Sequence, residues 1–210
     1  MNKKSIFSAM LVCLLALSLV SVSCSGKKDG GGSGGGTAKA SSVGKAAPAS
    51  DFNYDMSEDG KGIVIRKYTG KGGKLVIPAE IEGLPVVEFK SDNNFYGVFG
   101  GEIIDYNGNS QGPGPGAKIT SVVIPASIKV VQGYSFSRNP SLTSVTFLGS
   151  NVELGSGVFS NCINLAELKF PDGENVLKPN QDVLAKYAFQ FCTKLPLAVR
   201  SKLKDWGFNI

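Results

Sequence analysis

The chain has 210 residues, 42% of them apolar, enough to bury one sizeable core but not two. It contains no His, which removes the commonest acid/base and nucleophile-activating group from any catalytic scheme. Its net charge of +5 lies outside the folding part: Lys3 and Lys4 sit in an N-terminal leader, the segment up to Ser50 adds +3, and residues 51–210 hold 16 basic against 16 acidic side chains. No basic stripe is left to displace counterions from a nucleic-acid backbone, so nucleic acid is excluded as a partner.

Residues 1–23 read as a secretory signal. Lys3 and Lys4 form the basic head, Ile6 to Val20 is an apolar run, and Ser21-Val22-Ser23 supplies small residues ahead of Cys24. The run is too short and wrongly flanked for a spanning helix. The segment resembles a bacterial lipoprotein signal, with Ser21 standing where that family usually has Leu. The resemblance implies that Cys24 is lipidated and becomes the mature N-terminus; plain secretion with cleavage nearby is the alternative. Residues 24–50 are Gly, Ser, Ala and Lys without apolar periodicity, the composition of a flexible tether. Lys27, Lys28, Lys39 and Lys45 in this tether add a weak second hold on anionic lipid.

Folding is expected over 51–210. Asp51 to Met56 and Gly62 to Tyr68 flank the polar turn SEDGKG, which predicts a β-hairpin capping the domain over 51–73. Lys74 to Phe89 reads as a degenerate first repeat, with Leu75-Val76-Ile77-Pro78 aligned to Val122-Val123-Ile124-Pro125 and Ile81 to Ile128; its partner aromatic is Phe95 or Phe99. Residues 100–118, rich in Gly and Pro, break the register as an excursion with no period beyond Glu102 to Tyr106. Such an excursion is either a functional loop or an insertion without consequence, and Tyr96 and Tyr106 are its adhesive candidates.

From Ile119 the pattern becomes regular. ITSVVIP (Ile119 to Pro125), LTSVTFL (Leu142 to Leu148) and LAELKFP (Leu165 to Pro171) start 23 residues apart. YSFSRNPSL, GVFSNCINL and YAFQFCTKL, ending at Leu142, Leu165 and Leu195, share a Phe followed six residues later by a Leu. A unit recurring at 20 to 30 residues marks a solenoid, in which each turn buries its apolar face against the next. The expected fold is therefore an α/β repeat solenoid: repeats over 74–195, one narrow parallel sheet, and a C-terminal helical cap over 196–210.

Alternation along a strand turns Val122, Ile124, Val145, Phe147, Leu168 and Phe170 inward and leaves Ser121, Val123, Ser144, Thr146, Glu167 and Lys169 outward. Phe136, Phe159 and Phe189 should stack as a buried column beside Leu142, Leu165 and Leu195. The wider Phe159–Phe189 spacing, 30 residues against 23, assigns an extra loop to PDGENVLKPNQD. Leu197, Val199, Leu203 and Trp206 fit an amphipathic helix stopped at Gly207.

At LTSVTFLGSNVELGSGVFSNCINL the pattern resembles the BspA-like leucine-rich-repeat surface proteins of bacteria. The resemblance implies a curved solenoid with its parallel sheet on the concave side, exported and often lipid-anchored to the outer membrane or cell surface, in a family whose members include adhesins. Cys162 and Cys192 take the family's Cys position and Asn139 the same place one copy earlier. They read either as an inward ladder of small polar and thiol groups or, in an oxidising compartment, as a disulfide. No metal site and no cofactor is expected.

The function these observations favour is binding of a protein or glycan partner through Ser121, Val123, Ser144, Thr146, Glu167 and Lys169, with an aromatic anchor from Tyr96 or Tyr106. The alternative is a structural or assembly lipoprotein of the periplasm or outer membrane with no host ligand. Scattered carboxylates and the lack of His argue against an enzyme.

Overall fold

The computed structural model describes residues 44–92, 97–173 and 176–210. The signal, Cys24, the tether up to residue 43, Phe95 and Tyr96 lie outside the described residues. Contact with the fold begins before Asp51: the Ala47 N–H donates to the Val76 carbonyl at 2.8 Å, and residues Ala49–Asp51 form a single 3-10 turn.

β1 (Phe52–Met56) and β2 (Ile63–Tyr68) pair antiparallel, closed by a turn in which Asp59 and Ser57 hold each other. β3 (Gly73–Val76) follows, then a tight hairpin of β4 (Glu80–Ile81) and β5 (Leu84–Phe89). Residues 100–118 are not structureless: β6 (Glu102–Ile104) and β7 (Ser110–Pro113) form an antiparallel hairpin. Asp105 organises its tip, accepting the Asn107 and Asn109 N–H groups at 2.9 and 2.8 Å. A short Asx-type turn of this kind is what D-x-N-G-N favours, although the strand residues flanking it have little alternation.

The regular turns follow as β8 (Ile119–Ile124), β9 (Val130–Val131), β10 (Ser144–Phe147), β11 (Val152–Leu154), β12 (Glu167–Lys169) and β13 (Leu177–Pro179), ending in α1 (Leu197–Asp205). Each turn contributes one strand to each of two sheets. The first sheet runs β12-β10-β8-β3 and the second β1-β2-β5-β9-β11-β13, with all pairings between turns parallel. The single narrow sheet expected from sequence is half of this solenoid of about five turns. The second sheet escapes a periodicity search because its strands are two or three residues long at β9, β11 and β13. The stretch assigned to an extra loop after Phe170 contains one of them, β13.

The core lies between the two sheets, with Val122, Ile124, Val145, Phe147 and Leu168 buried from the first and Val86, Phe89, Val131, Val152, Leu154 and Leu177 from the second. A column of rings runs through the turns that link the second sheet back to the first. Phe99 stacks on Phe136 at 4.6 Å, Phe136 on Phe159 at 5.2 Å and Phe159 on Phe189 at 5.2 Å, all within 13° of parallel. Tyr68 lies against Phe99 at one end and Phe208 edge-on to Phe189 at the other. Phe99 is thus the aromatic of the first copy. Two residues beyond the three later rings, Arg138, Asn161 and Phe191 all adopt positive φ (52°, 61° and 63°), the left-handed step that turns the chain toward the next strand.

Beside the column runs a ladder of polar side chains. Asn139 Nδ2 donates to the Gly116 carbonyl at 2.8 Å, Cys162 Sγ to Phe136 O at 3.1 Å and Cys192 Sγ to Phe159 O at 3.1 Å. Both cysteines are free thiols, so the inward ladder and not the disulfide describes them. Burial pushes the Cys162 thiol up to about 12, and the Cys192 thiol is raised by burial and by the neighbouring Cys162. Among the described residues, no buried side-chain nitrogen or oxygen lacks a partner.

At the C-terminal end, Trp206 packs edge-on to Phe170 at 5.1 Å, with Lys202 Nζ over both rings. Leu203 is buried, and Gly207 with φ 93° ends the helix. Leu197, expected on the apolar face of α1, is instead 80% exposed. It occupies the first helical position after Pro196, before the helix axis has brought a face onto the stack.

Candidate functional site: the outer face of the first sheet

Register sets this face. Across the sheet the Cα partners run Lys74, Ser121, Ser144, Glu167 in one row and Val76, Val123, Thr146, Lys169 in a second. The six positions expected to point outward therefore do so in two straight rows, and the first copy extends each row by one residue. Lys74 and Val76 were missed as members of the face, though the Leu75-Val76-Ile77-Pro78 alignment contained the signal for them. Strand spacing places neighbours in a row at about 5 Å, so the face is continuous across the four strands.

Its edges differ. At β3 the N-terminal segment lies alongside, through the Ala47 to Val76 backbone bond. At β12 the side chains are charged and locally matched: Lys169 Nζ lies 2.9 Å from Glu167 Oε1, and Ser144 Oγ donates to Glu167 Oε2 at 2.8 Å. Lys169 and Ser144 hold the Glu167 carboxyl below its usual range. Glu167 and Lys169 are thus one neutralised pair, half-exposed, and most of the face is made of small hydroxyl and valine side chains.

Of the two expected aromatic anchors, Tyr96 lies outside the described residues. Tyr106 stands at the tip of the β6–β7 hairpin, 90% exposed. The base of that hairpin and the adjoining turns form a cleft of about 490 Å³ lined by Glu102, Pro113, Arg138, Pro140, Asn161 and Ile163. Arg138 Nη1 reaches Glu102 Oε2 at 3.4 Å across it. Among the described residues no group of three or more His, Cys, Asp or Glu could hold a metal ion.

Residues 116–204 match the model of the BspA type leucine rich repeat region, in 6 copies. Over those residues the repeats are similar to the BspA type. A leucine rich cell surface protein from Faecalibacterium prausnitzii A2-165 is similar at 21% identity with a TM-score of 0.47, over 72% of this chain and 35% of that one. The leucine rich repeat protein of T. pallidum is similar at 20% identity and a TM-score of 0.32, over 79% of this chain and 97% of that one. The pneumococcal vaccine antigen PcpA follows at 18% and 0.31, over 62% and 39%. The chain spans about a third of the length of the F. prausnitzii protein. No curated protein matches it.

Proposed function

We infer that this BspA-type repeat protein is exported, held to the outer membrane or cell surface by a lipidated Cys24, and binds a protein or glycan partner through the outer face of its first sheet. The observation that carries the reading is the pair of straight rows from Lys74 to Glu167 and from Val76 to Lys169. Their strands are fixed from behind by the buried core, so a partner meets a preformed surface and little ordering is needed to bind it. A scaffold of this type supports recognition and not a particular chemistry, and the reading is of a binding protein without catalytic activity or cofactor. Tyr106, exposed on the neighbouring hairpin, supplies an aromatic contact of the kind that dominates binding energy. Tyr96, close by in sequence, is the second candidate.

The test uses the whole mature chain, assayed on immobilised matrix proteins and glycans. Ser144→Arg with Thr146→Arg fills the centre of both rows and should abolish binding, and reversal of Glu167 and Lys169 or Tyr106→Ala should weaken it, all at unchanged Tm. Binding retained by the Ser144→Arg, Thr146→Arg protein moves the site off this face. The anchor is tested separately: Cys24→Ala should leave the membrane and enter the aqueous phase of a detergent extraction, and retention on the membrane contradicts lipidation.

A further inference from the structure

The solenoid departs from its own repeat at two places that border one cleft, formed where the chain leaves the strands of the second sheet. The first is Tyr134. Tyrosine recurs at this position in the last turn as Tyr187, outside the left-handed region, while the turn between has Gly157; Tyr134 shares the left-handed backbone of Gly157, φ 59° and 58°. That conformation suits glycine and is uncommon for a bulky side chain, so an aromatic ring is held here against the local backbone preference. The ring lies over Gly157, where a Cβ would come within 2.7 Å of Tyr134 Cε1, and it remains 49% exposed. The second departure is in the last turn. From Glu153 to Phe159 the chain takes six steps, but from the paired residue Lys178 to Phe189 it takes eleven.

Those extra residues build a wall. The Asn180 N–H is bonded to Leu154 O at 2.9 Å, and Asp182 is fastened to the preceding turn by Ser156 Oγ at 2.6 Å and to the Leu184 N–H at 2.9 Å. Both bonds hold the Asp182 carboxyl below its usual range, with the Ser156 bond the stronger cause, so at neutral pH it is a fixed ionised acceptor. The Asn180 carbonyl is committed to the Asp182 N–H at 2.9 Å, which leaves its NH2 as a donor. Gln132 donates through Nε2 to Glu88 at 2.8 Å and keeps its oxygen as an acceptor. With Lys90 and Tyr134 these groups line a cleft of about 500 Å³.

We propose that this cleft binds a short neutral saccharide, with the Tyr134 ring as the platform for a pyranose face and Asp182, Asn180 and Gln132 as fixed hydrogen-bond partners for its hydroxyls. An exposed aromatic face surrounded by planar amide and carboxylate groups matches a ligand whose surface alternates C–H patches with hydroxyl pairs. An anion fits less well, because Asp182 opposes Lys90. An extended peptide fits less well too, since the N–H groups of Gln132, Tyr134 and Gly155 are already bonded to Phe89, Ser156 and Val131, and no strand edge is offered. The site is separate from the sheet face and stands or falls independently of the function proposed for it.

The experiment is saturation-transfer NMR of the whole mature chain with maltotriose, cellotriose, mannotriose and N-acetylchitotriose, with inorganic phosphate as competitor. At least one trisaccharide should bind with Kd on the order of 1 mM or tighter. Tyr134→Gly should weaken it about tenfold or more while leaving Tm unchanged or higher, because glycine relieves the backbone. Asp182→Asn should weaken it with the fold intact, and Ser144→Arg with Thr146→Arg should leave it unaffected. The proposal is overturned if none of the four binds at about 10 mM, if phosphate displaces the sugar, if binding survives Tyr134→Gly, or if Tyr134→Gly lowers Tm and Asp182→Asn binds as the wild type does.

Discussion

The turns from Ile119 to Leu195 and the turn from Gly73 to Lys118 occupy equivalent places in the stack but are written very differently. Between β8 and β10 the chain advances 23 residues from Val122 to its partner Val145, whereas from Leu75 to its partner Val122 it advances 47. The intervening chain includes a two-stranded hairpin, yet Phe99 meets Phe136 closer and flatter, at 4.6 Å and 7°, than Phe136 meets Phe159 at 5.2 Å and 12°. The period of the sequence can thus be lost where the packing is kept. What a turn must supply is an inward strand residue, a column ring and a carbonyl for the ladder, and the chain between them is free to lengthen where it leaves the core. Glycine makes the exit possible: a Cβ on Gly116 would overlap the Phe99 carbonyl.

The largest effect should come from the ring shared by both regions. Phe136→Ala removes the stacking partner of Phe99 and Phe159 together and should cost about 3–5 kcal/mol in urea unfolding; a loss under about 1 kcal/mol would show that the column carries little. Next comes the ladder. Asn139→Ala strands the Ser141 and Leu142 N–H groups and removes one of the two donors to the Gly116 carbonyl, which keeps the Ile119 N–H, and should cost about 1–3 kcal/mol. Cys162→Ala, one turn along, loses a single weak thiol bond and should cost less.

The thiols also give a pH signature. Because burial raises the folded value of Cys162, its contribution to stability is complete below the unfolded-chain value of about 8.5. It should be lost progressively as pH climbs from there to about 12, and Cys192 is raised in the same direction. Both thiols should resist alkylation at pH 8 until the chain is unfolded; ready modification of the native protein would contradict their burial. Smallest of all should be removal of residues 102–113 with Gly101 joined to Gly114, whose backbones already meet through a 3.0 Å bond. Loop shortening of this size should change stability by about 1 kcal/mol or less.

The same contrast explains what could be read beforehand. Val122, Val145 and Leu168 were legible as inward residues, and Ser121, Ser144 and Glu167 as outward ones, because a strand's alternation was repeated at a constant spacing. β9, β11 and β13 were not, since two or three residues cannot show alternation. The tip of the excursion was hidden for another reason: Asp105 organises a turn by hydrogen bonds to Asn107 and Asn109, which leaves no apolar pattern. The sequence put Glu167 and Lys169 on one outward face with opposite charges, and only the structure adds that the two pair there. Tyr134 stood in plain view in YSFSRNPSL, and only its φ and its glycine counterpart mark it out.

The measurement that bears most directly on this account is equilibrium urea unfolding of Phe99→Ala beside Phe159→Ala. If the first turn is a full member of the stack, both variants should lose about 3–5 kcal/mol, each in one cooperative transition followed alike by Trp206 fluorescence and by circular dichroism. A Phe99→Ala protein that loses under about 1 kcal/mol, or that melts residues before Lys118 in a separate early step while Trp206 stays buried, would make the first turn an appendage. The proposed binding face would then shrink to β8, β10 and β12.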